Sequence, residues 1–313
     1  MVIGLLVALF LGAGVTVAAE QAAPGDALYP VKVSVNESVR GTLAFSEEAR
    51  AAWKARLIER RLEEAERLSA DARLNADARA AIEARMEGHF AAFEEAITDI
   101  KGNDKAEAAI EAYSSLEAAL EAHEQALARI SARVPEVRAH VDSILSKVRT
   151  RLSTVSSART EAEAGLSVRT DAGVQEAAEG KLGAAENKLA AAKRFVERMK
   201  ESADAQVVAY AEGKIELAEN AIALGKTKIE AGTYGEAFVA FQEAIRIAQE
   251  AQSVVGATGR IQQALNASVR AQNDSSEERE EADADASAET EAEAGASGTN
   301  VRGESQVRVE VGI

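Results

Sequence analysis

The sequence predicts an all-α protein: long amphipathic helices in antiparallel hairpins or bundles, after an apolar N-terminal segment and before an acidic tail. Three observations carry this. Aromatic residues make up 4% of 313 residues and there are three prolines, while Ala, Glu, Arg, Lys and Leu dominate, the composition of long helices. Apolar side chains recur at helical spacing along most of the chain. Capping and stop residues punctuate that pattern. Alanine is the best helix former but buries little area. Its helices must therefore pack closely over long contacts, as thin bundles or hairpins.

Val2 to Ala19 hold no charge and no proline over 18 residues. As a helix this is about 27 Å long, near the lower limit for a bilayer core of roughly 30 Å. Val17-Ala18-Ala19 fits the small-residue rule for signal-peptide cleavage after Ala19. A cleaved signal and a retained anchor both fit residues 1–21. Neither has its basic flank, since the first Lys or Arg after Met1 is Lys32; a start upstream of Met1 is the expectation.

Pro24-Gly25-Asp26 reads as a turn, with Pro presetting φ and Gly allowing positive φ. Pro30 suits the first position of a helix. Val31, Val35, Val39 and Leu43 then recur every four residues, a short amphipathic helix on which Leu28 and Tyr29 fold back as a hydrophobic staple. Ser46 caps a second helix to about Ala70, carrying Trp53, Leu57, Leu62 and Leu68. Asn75 or a neighbour caps a third, which Gly102 ends as the residue past its last turn. A fourth runs from about Asp104 to Ala132. Pro135 opens a fifth to about Leu166, Asp171 a sixth to near Ser202, and Ala203 to Ala231 form a seventh stopped by Gly232. The eighth begins near Tyr234 and extends to about Ala271, with Gly256 and Gly259 as weak points.

An internal echo joins the sixth and seventh helices: 181–187 (KLGAAEN) recurs as 214–220 (KIELAEN), 33 residues on. Stacked helical repeats have periods near this value. Residues 232–245 look like one tetratricopeptide-type helix, in which small residues admit a neighbour and Tyr and Phe fill the groove. One copy does not make a solenoid, which needs at least about three, so 171–255 reads as a helical hairpin or three-helix unit.

Residues 274–300 carry ten acidic groups and one basic group, Arg279, and no apolar residue but Ala. Such a stretch cannot offset its ordering entropy. Beyond it, Val301, Val307, Val309, Val311 and Ile313 alternate with polar residues as one strand-like segment. The expected organisation is 1–21 signal or anchor, 22–132 helical domain, 133–271 second helical bundle, 272–300 acidic linker and 301–313 strand-like tail.

The net charge of −16 disfavours nucleic acid as a partner. The chain has no cysteine, which excludes a disulfide framework, a thiol nucleophile and a Cys-zinc site. His89, His123 and His140 show no metal-ligand spacing, and Ser153, Ser156 and Ser157 have no His or Asp partner at recognisable spacing. No catalytic, cofactor-binding or metal residues are expected, and no small-molecule substrate. Tyr29 and Trp53 read as core packing between the first two helices, with a ligand-facing aromatic pair as the alternative.

Pro24-Gly25-Asp26-Ala27-Leu28-Tyr29-Pro30-Val31-Lys32, then Asn36-Glu37, then Arg56-Leu57-Ile58-Glu59-Arg60-Arg61-Leu62-Glu63-Glu64-Ala65 resemble a bacterial extracytoplasmic family catalogued as domain of unknown function 5667. The resemblance covers about residues 22–130. It implies an all-helical domain outside the cytoplasmic membrane, and some relatives sit beside sigma-factor regulatory systems. It brings no catalytic or binding residues. The expected function is a non-enzymatic exported or membrane-anchored protein, an envelope interaction or structural module with a lipid bilayer and an envelope protein as partners. A sensor or regulatory part of an envelope signalling system is the alternative.

Overall fold

The computed structural model describes residues 18–102, 105–263 and 266. The apolar segment up to Val17, Asp104, the acidic stretch and the strand-like tail lie outside them. The chain divides into two units, 1–265 and 266–313; of the second only Asn266 is described.

The described residues are helical, with no strand among them. After helical residues 18–20, a turn leads into α1 (Tyr29–Val31), a π-helical turn (Lys32–Asn36) and α2 (Glu37–Thr42). The long helices follow: α3 (Glu47–Ala70), α4 (Ala76–Gly102), α5 (Ala106–Arg133), α6 (Arg138–Ser167, after a 3-10 turn at Pro135–Val137), α7 (Ala172–Met199), α8 (Ala205–Glu230) and α9 (234–263).

The caps sit where their chemistry places them. Ser46 accepts a hydrogen bond from Ala49 N at 3.1 Å, Asn75 from Ala78 N at 2.9 Å and Asp171 from Val174 N at 3.2 Å, each satisfying an orphan first-turn donor. Gly232 follows α8 with φ +74°, the left-handed stop. Gly102 is instead the last helical residue of α4. α9 runs unbroken through Gly256 and Gly259; the second is a point of close approach, where a Cβ would lie 3.2 Å from Met199 Cε.

The first core joins α3, α4, α5 and α6. Ile58 and Leu62 meet Ile82, Phe90 and Phe93 of α4, Leu120 and Leu127 of α5, and Val141 and Val148 of α6, all essentially buried. The division expected at 132/133 falls inside the α5–α6 hairpin, whose two helices share this core. Ala257 and Ile261 of α9 also belong to it. The second core joins α7, α8 and the first half of α9 through Ala185, Ala218, Phe238 and Phe241, with Leu166 of α6. A third, smaller core sets Val196, Val207 and Val208 against Ala251, Val254 and Val255. The two halves of the internal echo thus lie on paired helices, α7 and α8, with Ala185 and Ala218 at equivalent places in one core.

Two glycines admit neighbours. A Cβ on Gly225 would lie 2.6 and 2.8 Å from Phe241 ring carbons, and one on Gly235 would lie 2.9 Å from the Ser167 backbone and closer still to Leu166 O. Gly225 thus admits an aromatic ring and Gly235 a neighbouring backbone.

Candidate functional site

The most unusual chemistry lies where the described chain begins. α1, the π turn and α2 lie on α3, and the contact between them is made of charge. The π turn causes this. Glu37 N–H donates to Lys32 O across five residues, and the widened turn brings Lys32 and Glu37 toward one side, where an α-helix would hold them apart. Both are buried, at 4 and 5% exposure.

They meet Arg60, Arg61 and Glu64 of α3. Lys32 Nζ lies 2.5 Å from Glu64 Oε1 and donates to Ala22 O at 2.9 Å. Arg61, fully buried, donates through Nη1 to the Tyr29 hydroxyl at 2.9 Å, pairs with Glu37 and lies 3.0 Å from Glu64 Oε1. The Tyr29 hydroxyl donates to Glu64 Oε2 at 3.1 Å. Arg60 pairs with Glu37 at 3.3 Å and with Glu20. Three buried cations thus face two buried carboxylates, Glu37 and Glu64, with the half-buried Glu20 pairing with Arg60 from outside. Burial raises the Tyr29 hydroxyl above its usual range, with the Glu64 charge adding to it. Burial also pushes the Glu37 carboxyl up, against the pull of Arg61. Burial lowers Arg60, and Arg61 adds to the effect.

The motif residues frame this cluster. Gly25 has φ +97°, so the turn needs its glycine. Asp26 Oδ2 accepts from Ala23 N at 2.8 Å and Oδ1 from Arg73 at 2.9 Å, and these bonds hold its carboxyl below the usual range. Pro24 is buried, Leu28 is half-buried at the start of α1, and Pro30 occupies its first turn, where a missing N–H costs nothing. Trp53 lies beneath α2, its Nε1 3.1 Å from where a Gly41 Cβ would be. Tyr29 and Trp53 therefore serve different contacts: the phenol enters the charge cluster and the indole supports α2.

Beside the cluster is a cleft of about 440 Å³ whose walls include Lys32, Arg60, Glu63, Glu64, Arg67 and Arg260. Glu66, also on its wall, holds His123 of α5, with Nδ1 2.5 Å from Oε1. Burial works against the charged imidazole, but Glu66, supported by Glu59 and Glu63, outweighs it and raises the His123 pKa. Arg67 reaches Gln21 at 3.5 Å, and its Nη2 is buried with no hydrogen-bond partner. His89 differs from His123: burial, with Arg61, Lys54 and Arg85 nearby, pushes it down to about 4.

A second charged cluster lies among α5, α8 and α9. Arg246 Nη1 is 2.7 Å from Glu121 and 3.7 Å from Glu250, and Nη2 is 2.6 Å from Glu243. Lys214 pairs with Glu250 at 2.8 Å. Burial, followed by Glu250 and Glu117 against the pull of Arg246, pushes the Glu121 carboxyl up to about 8. Among the described residues no group of three or more His, Asp or Glu is arranged to hold a metal ion.

Sequence reasoning picked out Pro24, Gly25, Asp26, Leu28, Tyr29, Pro30 and Trp53; Arg61 and Glu64 entered only as part of the family resemblance, and the Glu66–His123 pair was missed. A signal was present: Ile58, Arg61, Leu62, Ala65 and Leu68 form one stripe at helical spacing, and a charge inside a core stripe requires a buried partner.

The geometry defines an all-helical bundle with a charge-clamped N-terminal junction. Residues 21–137 match the family model described as Domain of unknown function (DUF5667), from just before the Pro-Gly-Asp turn to the end of the 3-10 turn that opens α6. No curated protein and no solved structure matches the chain.

Proposed function

We propose that the protein is a non-enzymatic, exported or membrane-anchored helical module of the bacterial envelope that holds or engages a protein partner. One observation carries the reading: the apolar sequence Val2–Ala19 runs into the folded domain with no spacer. Ala19, Ala22 and Ala23 are buried. Glu20 pairs with Arg60 and lies 2.8 Å from Arg40. Whatever holds the apolar segment therefore holds the helical bundle directly, without a flexible tether. The charged groups of the junction are turned on one another, as suits a structural clamp.

No helix among the described residues is long and apolar enough to cross a membrane, so membrane attachment rests on Val2–Ala19. Fractionation of expressed full chain tests it: recovery with membranes after alkaline wash, or in the exported fraction, supports the reading. Recovery of the intact chain in the cytosol overturns it. Crosslinking in envelope fractions should recover a protein partner.

A second reading, an extracytoplasmic sensor within a sigma-factor-linked system, has its own support. His123, buried beside Glu66, and Glu121, half-buried beside Arg246, are groups whose charge responds to pH. A reporter of envelope stress that is unchanged by deletion of the gene would count against it.

A further inference from the structure

Among the described residues, Val35, Val39, Leu43 and Phe45 are large apolar side chains left in solvent, at 47, 57, 63 and 82% exposure. The others so exposed are Val168, alone just past α6, and Leu217 and Leu224, two turns apart on α8. Single exposed apolar residues need no explanation, but a group gathered on one face does. The π turn and α2 gather Val35, Val39 and Leu43, and Phe45 follows two residues past Leu43 in the link to α3. Glu37 and Gly41 point inward, the first to Arg60 and Arg61 and the second to Trp53. Val39 lies two residues from each, on the opposite side, and Val35 and Leu43 share its face at four-residue spacing. The expected amphipathic helix is therefore turned over: its polar side is buried and its apolar side faces out.

The exit of the apolar segment is fixed beside this face. Asn36 Nδ2 donates to Glu20 at 3.4 Å and Arg40 Nη1 lies 2.8 Å from Glu20. Asn36 and Arg40 each follow, by one residue, a member of the apolar stripe. Glu20, the last of helical residues 18–20, is therefore held beside the stripe, and in the sequence Val2–Val17 lie just before these residues. A surface next to the point where such a segment enters lipid lies at the lipid surface.

We propose that Val35, Val39, Leu43 and Phe45 rest on the bilayer that takes up the apolar sequence before Ala18, with these side chains in the boundary between headgroups and acyl chains. The proposal rests on the reading that Val2–Ala19 meets lipid. An interfacial helix of this kind sinks its apolar face about 5–10 Å into that boundary. The apolar segment supplies the attachment, and the stripe fixes the orientation of the bundle on the membrane, adding a second contact to a segment that by length just spans.

The test uses the full chain in vesicles of phosphatidylcholine and phosphatidylglycerol. The single tryptophan, Trp53, is removed as Trp53→Phe, and one reporter is introduced at a time: Phe10→Trp in the apolar segment, Phe45→Trp in the stripe, and Val168→Trp as an exposed site far along the chain. Emission is read with lipids brominated near the headgroup or deep in the chains. Quenching and a blue shift are expected for Phe10→Trp and Phe45→Trp, with Phe45→Trp quenched more by the shallow bromines, and neither effect for Val168→Trp. Quenching of Phe10→Trp while Phe45→Trp behaves like Val168→Trp overturns the proposal and leaves the anchor reading standing; the stripe would then be covered by a second copy or by residues 2–17. Absence of quenching for Phe10→Trp overturns the anchor reading and the proposal with it.

Discussion

Arg61 and Glu64 stand one turn apart on α3, 3.0 Å from each other and at 0 and 2% side-chain exposure. They lie buried beside a core that packs mainly Ala, Ile, Leu and Phe. Their partners arrive from α1 and α2, so the clamp forms only when the N-terminal elements dock.

That dependence gives the first prediction. Arg61→Ala leaves Glu37 and Glu64 buried with less compensation, and removing one partner of a buried pair costs about 3–5 kcal/mol. Urea unfolding should show that loss. Tyr29→Phe removes the hydroxyl shared by Arg61 and Glu64 and should cost about 1–3 kcal/mol. Losses well under about 1 kcal/mol for Arg61→Ala would mean that water reaches the cluster.

His123 should make stability depend on pH. Its folded pKa is raised, by Glu66 above all against the opposing effect of burial. The contribution is therefore complete below the ordinary histidine value of about 6.5 and fades as pH rises through the folded value. The stability gap between wild type and His123→Gln should narrow with rising pH. A gap that is flat or widens would contradict the pairing.

Glu121 should act through a different cause. Its folded pKa of about 8 exceeds the usual carboxylate value, because burial and the nearby Glu250 and Glu117 outweigh Arg246. Stability is lost as pH climbs from the ordinary carboxylate range through about 8. Glu121→Gln should gain on wild type across that window, read as the difference in midpoint at pH 5 and pH 9, about three units below and one above the folded value.

Glycines should divide by what faces them. Gly225→Ala drives a methyl into the Phe241 ring and Gly235→Ala drives one against the backbone of Leu166 and Ser167. Overpacking of this kind costs about 1–3 kcal/mol, more where backbone must move. Gly180 and Gly213 are exposed helical positions where an added methyl would meet nothing within 4 Å, and alanine there should stabilise by about 0.5–1 kcal/mol. Thermal melts of the four variants separate the two classes.

Ala72 holds φ +54° just past α3, a conformation that costs a side chain about 1–2 kcal/mol. Ala72→Gly should relieve part of this and raise the melting temperature, provided the hydrogen bonds from Arg73 N and Leu74 N to Leu68 O persist.

The helices were legible because their signals are local. Ser46, Asn75, Asp171 and Gly232 could be placed from side-chain chemistry alone, and α3 ends at Ala70 as its apolar spacing required. The clamp was less legible. Lys32 and Glu64 are 32 residues apart, as are Tyr29 and Arg61, and no local rule pairs them. Nor did spacing reveal which side of Val31–Leu43 turns inward: a periodic pattern reports that a helix has two faces, while the neighbour decides which one is covered.

The sequence by itself determined the all-α fold class, where most of the helices begin and end, and that about residues 22–130 resemble one family. Helix propensity, capping and apolar period act within a few residues, so they are written into neighbouring letters. Only the tertiary structure decided that Lys32, Glu37, Arg61 and Glu64 lie buried together while Val35, Val39 and Leu43 face outward. Desolvation of a charge depends on what the whole fold brings to it: once α3 supplies an ion-pair partner for each buried group, the polar side of α2 is the side that fits.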